Sequence, residues 1–481
     1  MRIILFLLLS FMFCFTGCKD SSSAEENSAF FGGEIINPKG DKVIFYDKNR
    51  KENDTLQLDE NNRFSHTIKN ITPGVYLFRH GGEIQFVILE PKDSLMLRLN
   101  TYDFDGSLVF MGKSSRKNNY LLKTFLTLEK ESQRLVKYSH KDPEDFENFI
   151  NLRHQKELVE FERFEAKEPM SVFAKSIIKA SIDYHNYADK EIYPFAYFGE
   201  NKLVHIKDLP ENFYDFRKNI DYNAVELNEI PSYFRFLLIY FDNISVTHFY
   251  NNNEFHSKFN RYDLSYNKAK LNLIDSLVTD ETLKNRLLKY KTREFINNNY
   301  SQDDINEIMA SYLSKTTSEE DVKYMSSLIA SLDNLKPGKG LPDLKVIDIN
   351  DNTLTIADVV NKPTLIYFWS TNYKNHYKRS HYRVKELKNQ FPKLRFMSIN
   401  INDNSEKYWK ETINQYKFDL NKEYRFENPK EALKTLAVNY LYKVIIVDDK
   451  GNIVNPNVNI FNPDFEDNLR DMIKKRELVL K

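Results

Sequence analysis

The chain has 481 residues, which corresponds to about three domains at roughly 150 residues per domain. Its 69 Lys and Arg residues balance its 69 Asp and Glu residues, so no net basic charge favours general nucleic-acid binding. Hydrophobic residues make up 41% and charged residues 29% of the chain, a balance that excludes a mostly disordered protein.

The first eighteen residues predict export and a lipid anchor. An apolar run over 3–15 follows Arg2 and is too short to span a hydrocarbon core of about 30 Å, so it is typical of a secretory signal. Small residues precede Cys18, and this exit resembles a bacterial lipobox, in which the cysteine is acylated and begins the mature protein. The alternative is a plain secretory signal with a chance cysteine.

The lipobox resemblance implies a signal peptide over 1–17 and a lipidated tether over 18–33. Several acyl chains at Cys18 would anchor the body to a membrane outside the cytoplasm. The outer membrane is the expected location, and the sequence leaves open whether the body faces the periplasm or the cell surface.

Residues 34–112 predict a small antiparallel β-sandwich. Short runs of alternating residues are separated by turn residues such as those at 73–74 and 81–82; the runs are 43–46, 63–68, 75–78, 86–89, 95–99 and 108–111. His66 and His80 are isolated histidines, for which packing roles outweigh metal binding.

Residues 113–335 predict a mainly α-helical domain. Large apolar side chains recur with a period of about 3.6 residues, as at Phe146, Phe149, Ile150, Leu158, Phe161 and Phe164. The aromatic stretches 193–198 and 233–241 are interpreted as helix core rather than as the walls of a ligand cleft. Whether this segment is one domain or two is left open.

Residues 336–481 predict an α/β domain, whose first residues, 336–342, form a linker or domain entry rich in Pro and Gly. The predicted elements are strands at 364–369, 394–401 and 444–447, helices at 377–389, 405–416 and 464–474, and a hairpin turn at 448–451. A βαβ unit followed by a hairpin and a helix is the order of a thioredoxin fold.

Residues 341–473 resemble the extracytoplasmic TlpA/ResA-like thioredoxins. The resemblance rests on 341–344, 356–359, 362–369 and 447–451. The whole chain also resembles a Bacteroidota lipoprotein layout, in which a small β domain and a helical segment precede this domain. The family implies a redox-active Cys-x-x-Cys pair four residues after Phe-Trp, and a cis-proline before the third strand.

Neither cysteine is present at the positions that the resemblance assigns. Counting from Trp369, Tyr373 occupies the first cysteine position and His376 the second, while Tyr442 occupies the proline position. Thiol–disulfide exchange needs a thiolate and a sulfur that carries the mixed disulfide, and the sequence contains no Cys after Cys18. A trans peptide is expected at Tyr442, because a non-proline cis bond costs about 2.5–4 kcal/mol.

The sequence predicts no catalytic group, no cofactor and no metal site. Tyr373, His376 and His381 could serve as acids or bases, but no nucleophile with a partnered acid is visible, and the five-residue spacing of the histidines suits no metal pair. The favoured function is a redox-inactive holder of an unknown protein or peptide partner. The alternatives are a thiol-disulfide oxidoreductase by descent and a surface lipoprotein that captures glycans or nutrients.

Overall fold

The computed structural model describes residues 27–48, 53–252, 259–299, 301–402, 406–462 and 464–474. The expected signal peptide over 1–17, the acylation site Cys18 and the tether up to residue 26 lie outside these residues. None of the described helices is long and apolar enough to cross a membrane.

The N-terminal part consists of two four-stranded sheets that pack face to face. The strands are β1 (Ala29–Ile36), β2 (Lys42–Tyr46), β3 (Asn53–Gln57), β4 (Arg63–Ile68), β5 (Gly74–His80), β6 (Glu83–Leu89), β7 (Ser94–Asn100) and β8 (Val109–Met111), with a short helix α1 (Phe104–Ser107) before β8. One sheet has the order β4-β1-β7-β8 and the other β3-β2-β5-β6. Phe31 is fully buried between them, with ring centroids 5.1 Å from Phe45 and 5.5 Å from Phe78.

The predicted sandwich is confirmed, but two of its details were wrong. It is not purely antiparallel, because β1 runs parallel to β7. Strand β1 begins at Ala29, inside the segment over 18–33 that was assigned to the tether. Gly32 and Gly33 interrupt the hydrophobic signal of this strand; at Gly33 a Cβ atom would overlap Leu97, so close packing between the strands requires the glycine.

The middle of the chain is helical, as predicted. Its helices are α2 (Ser115–Tyr138), α3 (Pro143–Lys167), α4 (Val172–Tyr197), α5 (Pro231–Asn252), α6 (Leu264–Leu277), α7 (Glu281–Asn297), α8 (Gln302–Leu313) and α9 (Glu319–Asp333), with short 3₁₀ turns at Glu200–Asp208, Asp215–Asn219 and Val225–Leu227. Tyr193, Tyr233, Phe236 and Phe241 are fully buried, so both aromatic stretches contribute to the core.

The C-terminal part is a mixed sheet with helices on its faces. Its elements are β9 (Lys345–Ile347), β10 (Thr353–Thr355), α10 (Ile356–Val359), β11 (Thr364–Trp369), α11 (Lys374–Gln390), β12 (Arg395–Asn400), α12 (Glu406–Tyr416), β13 (Glu423–Phe426), α13 (Pro429–Thr435), β14 (Val444–Val447), β15 (Ile453–Val458) and α14 (Phe465–Lys474), with a 3₁₀ turn at Leu420–Lys422. The strand order is β10-β9-β13-β12-β11-β14-β15. The βαβ unit β11-α11-β12 is parallel, and β14 and β15 form the predicted hairpin.

The three parts are joined by packing as well as by the chain. One continuous hydrophobic core contains helix residues such as Phe295 and Met325 together with sheet residues such as Ile366 and Phe368. Helix α2 covers the edge of the sandwich, where the buried Asn118 side chain accepts a hydrogen bond from the amide of Ile88 (2.7 Å) and donates to its carbonyl (3.0 Å). The thioredoxin-like sheet is therefore held in one arrangement with the helices beside it.

Candidate functional site

The turn between β11 and α11 places the two residues at the expected cysteine positions in different environments. Tyr373 is the N-cap residue of α11, and its amide donates to the carbonyl of Ser370 (3.2 Å). The Tyr373 side chain is 47% exposed, whereas His376 in the first turn of the helix is buried. One position is therefore open to a partner and the other faces the protein interior.

The structure brings His376 and Tyr442 together. Their rings meet edge to face with centroids 4.8 Å apart, and Tyr442 also contacts Phe461 in the same geometry at 5.6 Å. Tyr442 remains 41% exposed, and no cis peptide bond occurs among the described residues. An aromatic cluster therefore stands where the resemblance implies a cysteine pair and a cis-proline.

His376 is unsuited to acid–base chemistry near neutral pH. Burial, with a smaller contribution from the positive potential of His381, lowers the pKa of His376 to about 4. A histidine with such a pKa is neutral at pH 7, carries no acidic imidazolium proton to donate, and is a weak base. Its nearest side-chain partner is the Ser380 hydroxyl at 3.4 Å. The geometry fits a packed aromatic ring better than a catalytic group.

His381 lies apart from this cluster, on another face of α11. Its ring stacks on Phe418 at 3.6 Å, and its Nδ1 donates to the Tyr377 carbonyl at 2.7 Å. Its Nε2 lies 3.2 Å from a carboxylate oxygen of Glu423 and 3.3 Å from the Ser398 hydroxyl. Among the described residues, no group of three or more His, Cys, Asp or Glu side chains could hold a metal ion.

Asparagine side chains fix the turn before α11. Asn402 accepts from the Thr371 amide (2.7 Å) and donates to the Ser370 hydroxyl (3.0 Å). Asn400 in turn donates to Asn402 at 3.1 Å. Since these bonds hold both sides of the turn, its backbone conformation is preorganised by β12. Sequence analysis missed these residues, because isolated asparagines after a strand carry no distinctive pattern.

The N-terminal sandwich covers part of the same turn. The backbone of Gly82, in the β5–β6 turn, lies so close that a Cβ atom would overlap the side chain of Asn372. Lys374 donates to the carbonyl of Tyr102 (3.3 Å), and the Tyr408 hydroxyl donates to the carbonyl of Pro38 (3.0 Å). The redox-motif position therefore forms part of an internal interface.

His80 shapes the sandwich side of this interface. The buried ring accepts a hydrogen bond from the Lys39 amide through Nε2 (3.0 Å) and donates from Nδ1 to the Lys42 carbonyl (2.8 Å). Burial lowers the pKa of His80, so the neutral tautomer that makes both bonds is favoured. His66 lies 3.1 Å from Asp54 and packs on Phe45. Both histidines have packing roles.

Lys443, directly after Tyr442, is a buried lysine that sequence analysis did not single out. It is 1% exposed, and its Nζ donates to the Ala437 carbonyl at 3.2 Å. Burial lowers the pKa of Lys443 to about 7. Because the folded chain releases this proton between pH 7 and 10.5 while the unfolded chain retains it, Lys443 makes stability rise with pH across that window.

The comparisons with known proteins concern the C-terminal part alone. Residues 361–453 match the thioredoxin-like family, which confirms the predicted fold of this part. No curated protein matches the chain. One similar solved structure is the thioredoxin domain of a thiol-disulfide oxidoreductase from Bacteroides vulgatus, with 22% identity and a TM-score of 0.25, covering 29% of this chain and 99% of that chain. A second is a thiol:disulfide interchange protein from a Bacteroides species, with 20% identity and a TM-score of 0.25, covering 29% of this chain and 92% of that chain. A third is an uncharacterized thioredoxin-like protein from Porphyromonas gingivalis, with 20% identity and a TM-score of 0.25, covering 28% of this chain and 90% of that chain. At these identities and TM-scores, the similarities carry no information about activity.

We expect Gly82→Ala to loosen the sandwich from the turn before α11. Gly82 has φ +94° and Gly199 has φ +64°, so alanine at either position costs roughly 1–2 kcal/mol of backbone strain, but only at Gly82 does the new Cβ meet another residue. Hydrogen exchange of the Thr371 and Asn372 amides should accelerate in Gly82→Ala and stay unchanged in Gly199→Ala. Equal exchange in both variants would contradict the interface.

We expect Lys443→Met to stabilise the protein at pH 7. Methionine has a similar length and removes the cost of burying an amine, so the free energy of unfolding should increase by about 1–3 kcal/mol, as measured by denaturant titration. The gain should shrink towards pH 10, where lysine is already neutral in the folded chain. Lys434→Met, at an exposed position, serves as the control. The opposite result would be a variant that is less stable at pH 7 and whose free energy of unfolding depends on pH as in the parent chain. That result would show that Lys443 is charged and solvated.

Proposed function

We propose that this protein is a lipid-anchored, extracytoplasmic binding protein whose thioredoxin-like domain holds a protein or peptide partner and performs no thiol–disulfide exchange. The observation that carries the proposal is the pair of exposed tyrosines, Tyr373 and Tyr442, at the expected cysteine and proline positions, with the Tyr442 ring packed against the buried ring of His376.

The absence of thiols argues against redox catalysis. The sequence has two cysteines, Cys14 and Cys18, and the first is expected to leave with the signal peptide. An acylated Cys18 is a thioether and cannot attack a disulfide. Two of the similar solved structures are a thiol-disulfide oxidoreductase domain and a thiol:disulfide interchange protein, but in this chain Tyr373 and His376 supply neither the attacking nor the resolving sulfur. Even if this chain descends from an oxidoreductase, we therefore do not expect it to have retained that activity.

The tyrosine pair has the properties of a binding surface. Tyrosine and tryptophan are enriched at protein interfaces, because a rigid ring offers large apolar area at low entropic cost together with a polar tip. Tyr442 is held by His376 and Phe461, and Tyr373 is held by the turn that Asn402 fixes. Since the Tyr442 ring and the backbone of Tyr373 are positioned before a partner arrives, less ordering entropy is lost on binding than for two mobile residues.

The N-terminal sandwich restricts the surface on which a partner can bind. It contacts the turn at Asn372 and Lys374, on either side of Tyr373 in sequence, and leaves the Tyr373 side chain exposed. A partner at Tyr373 and Tyr442 would therefore lie beside the sandwich. The anchor at Cys18 would place this surface at the outer membrane, on a face that the sequence leaves open.

The test is site-specific photo-crosslinking in intact cells, with a benzoyl-phenylalanine replacing Tyr442. We expect a crosslinked protein, which is then identified, purified and titrated against the chain. Tyr373→Ser with Tyr442→Ser should weaken that binding at least tenfold, about 1.4 kcal/mol. Leu152→Ser with Val172→Ser removes two other exposed apolar side chains from the helical part and should leave the affinity unchanged.

Two outcomes would overturn the proposal. Binding that is equal in the tyrosine and control variants would place the partner elsewhere. A glycan array that binds the chain through residues 34–112, without any crosslinked protein, would favour the alternative of surface glycan capture. Fractionation of the same cells tests the anchor: Cys18→Ser should move the chain from the membrane to the soluble fraction.

A further inference from the structure

A second concave surface lies on the face of α11 that carries His381. It has a volume of about 410 Å³. We call it the lysine groove, because five lysines line it: Lys378, Lys385 and Lys388 from α11, and Lys417 and Lys422 from the segment between α12 and β13. It is separate from Tyr373 and Tyr442, which lie at the start of α11 and before β14.

The base of the groove is rigid and partly aromatic. His381 is stacked on Phe418 and is held by hydrogen-bond contacts to the Tyr377 carbonyl and to Glu423. Glu423 is 2% exposed, so it contributes little negative surface to the groove. Tyr382, which is 66% exposed, stands at the rim. A ligand would therefore meet apolar ring faces between the ammonium groups.

The positive charge of the groove is not neutralised by the protein. Asp419 is the exposed carboxylate in the lining, and it is shared by Lys422 at 2.6 Å and Lys388 at 3.4 Å. Burial and the charge of Lys422 lower the pKa of Lys388. Among the described residues, Lys385 and Lys417 form no ion pair. In the helical part, by contrast, the buried Lys291 has a carboxylate partner, Asp242 at 2.7 Å.

We propose that the lysine groove binds an acidic peptide segment of another protein. The proposal goes beyond the tyrosine surface and does not depend on it. Lys378 and Lys385 are seven residues apart on one helix face, which separates their Cα atoms by about 10 Å. A peptide in the polyproline II conformation covers about that distance in three residues, at roughly 3.1 Å each, and presents every third side chain on the same face, so acidic residues at every third position match the lysines.

The shape and composition of the groove favour this ligand over other anions. A planar membrane surface cannot enter a concavity, whereas a peptide side chain can. A free phosphate ion would fill a small fraction of about 410 Å³ and would leave the aromatic base uncovered. A peptide supplies carboxylates for the lysines and carbon-bearing side chains for Tyr382, Tyr416 and Phe418.

The test is fluorescence anisotropy of a labelled twelve-residue peptide with Glu at every third position, titrated with the full mature chain. A matched peptide with Gln at those positions should bind at least tenfold more weakly, and higher salt should weaken binding of the Glu peptide. Lys385→Glu with Lys417→Glu should weaken binding of the Glu peptide at least tenfold. Lys430→Glu with Lys434→Glu, on α13 of the same domain, makes the same charge change outside the groove and should alter binding less than twofold.

Thermal unfolding checks that both double variants fold, and Lys385→Gln with Lys417→Gln replaces the first pair if it does not. Equal affinities in the groove and control variants would overturn the proposal, as would equal binding of the two peptides. Anionic phosphatidylglycerol vesicles and inorganic phosphate are tested alongside. If either binds through Lys385 and Lys417 while the Glu peptide does not, the ligand class is wrong.

Discussion

The close approach of Gly82 to Asn372 brings the sandwich against the turn before α11 of the thioredoxin-like part. A side chain at position 82 would collide with the turn, so the sandwich can lie there only because glycine is present. From the opposite side, Asn402 holds the backbone of Ser370 and Thr371. A turn fixed from within and covered from outside suits a rigid platform. Disulfide exchange would in addition require a sulfur atom at this turn to form a covalent intermediate with a second chain, and neither Tyr373 nor His376 supplies one.

The molecule uses charge in two different ways. In the helical part, α4 carries the consecutive buried residues Asp189, Lys190 and Glu191, and each has a partner of opposite charge: Arg153 at 2.8 Å, Glu147 at 2.7 Å and Arg217 at 2.5 Å, respectively. Unpaired burial of such groups would be costly, so these pairs belong to the architecture. The lysine groove has the reverse character, with five ammonium groups around a single exposed carboxylate, that of Asp419. Because the charge of the lysine groove is largely unpaired, we assign a binding role to it. Because the buried charges of α4 are paired, we assign a packing role to them.

The parts of the fold that leave a local pattern in the sequence were predicted correctly. The continuous apolar run at β11 and the Gly451 turn of the β14–β15 hairpin are such signals, because burial and left-handed turns leave a mark on composition. The first five residues of strand β1, at 29–33, were assigned to the tether, and two glycines dilute the hydrophobic pattern there. Strand β13 was missed because its four residues, Glu423–Phe426, alternate polar and aromatic groups over too short a length.

The site was predictable only where spacing along the chain defines it. Counting from Trp369 and Gly451 located Tyr373, His376 and Tyr442, and the structure places His376 against Tyr442. The contacts of His381 with Phe418 and Glu423 join residues about 40 positions apart, and the cover at Asn372 comes from a separate part of the chain. Tertiary packing alone creates such contacts, so no sequence window contains them.

We propose that the mature chain does not exchange electrons with disulfides. This proposal is tested most directly by measuring insulin disulfide reduction in the presence of dithiothreitol, using purified mature chain that carries Cys18→Ser and so contains no thiol. We expect insulin disulfides to be reduced at the same rate with and without the protein, across the neutral pH range. Several insulin disulfides reduced per protein molecule, faster than the reductant alone and proportional to protein concentration, would contradict it.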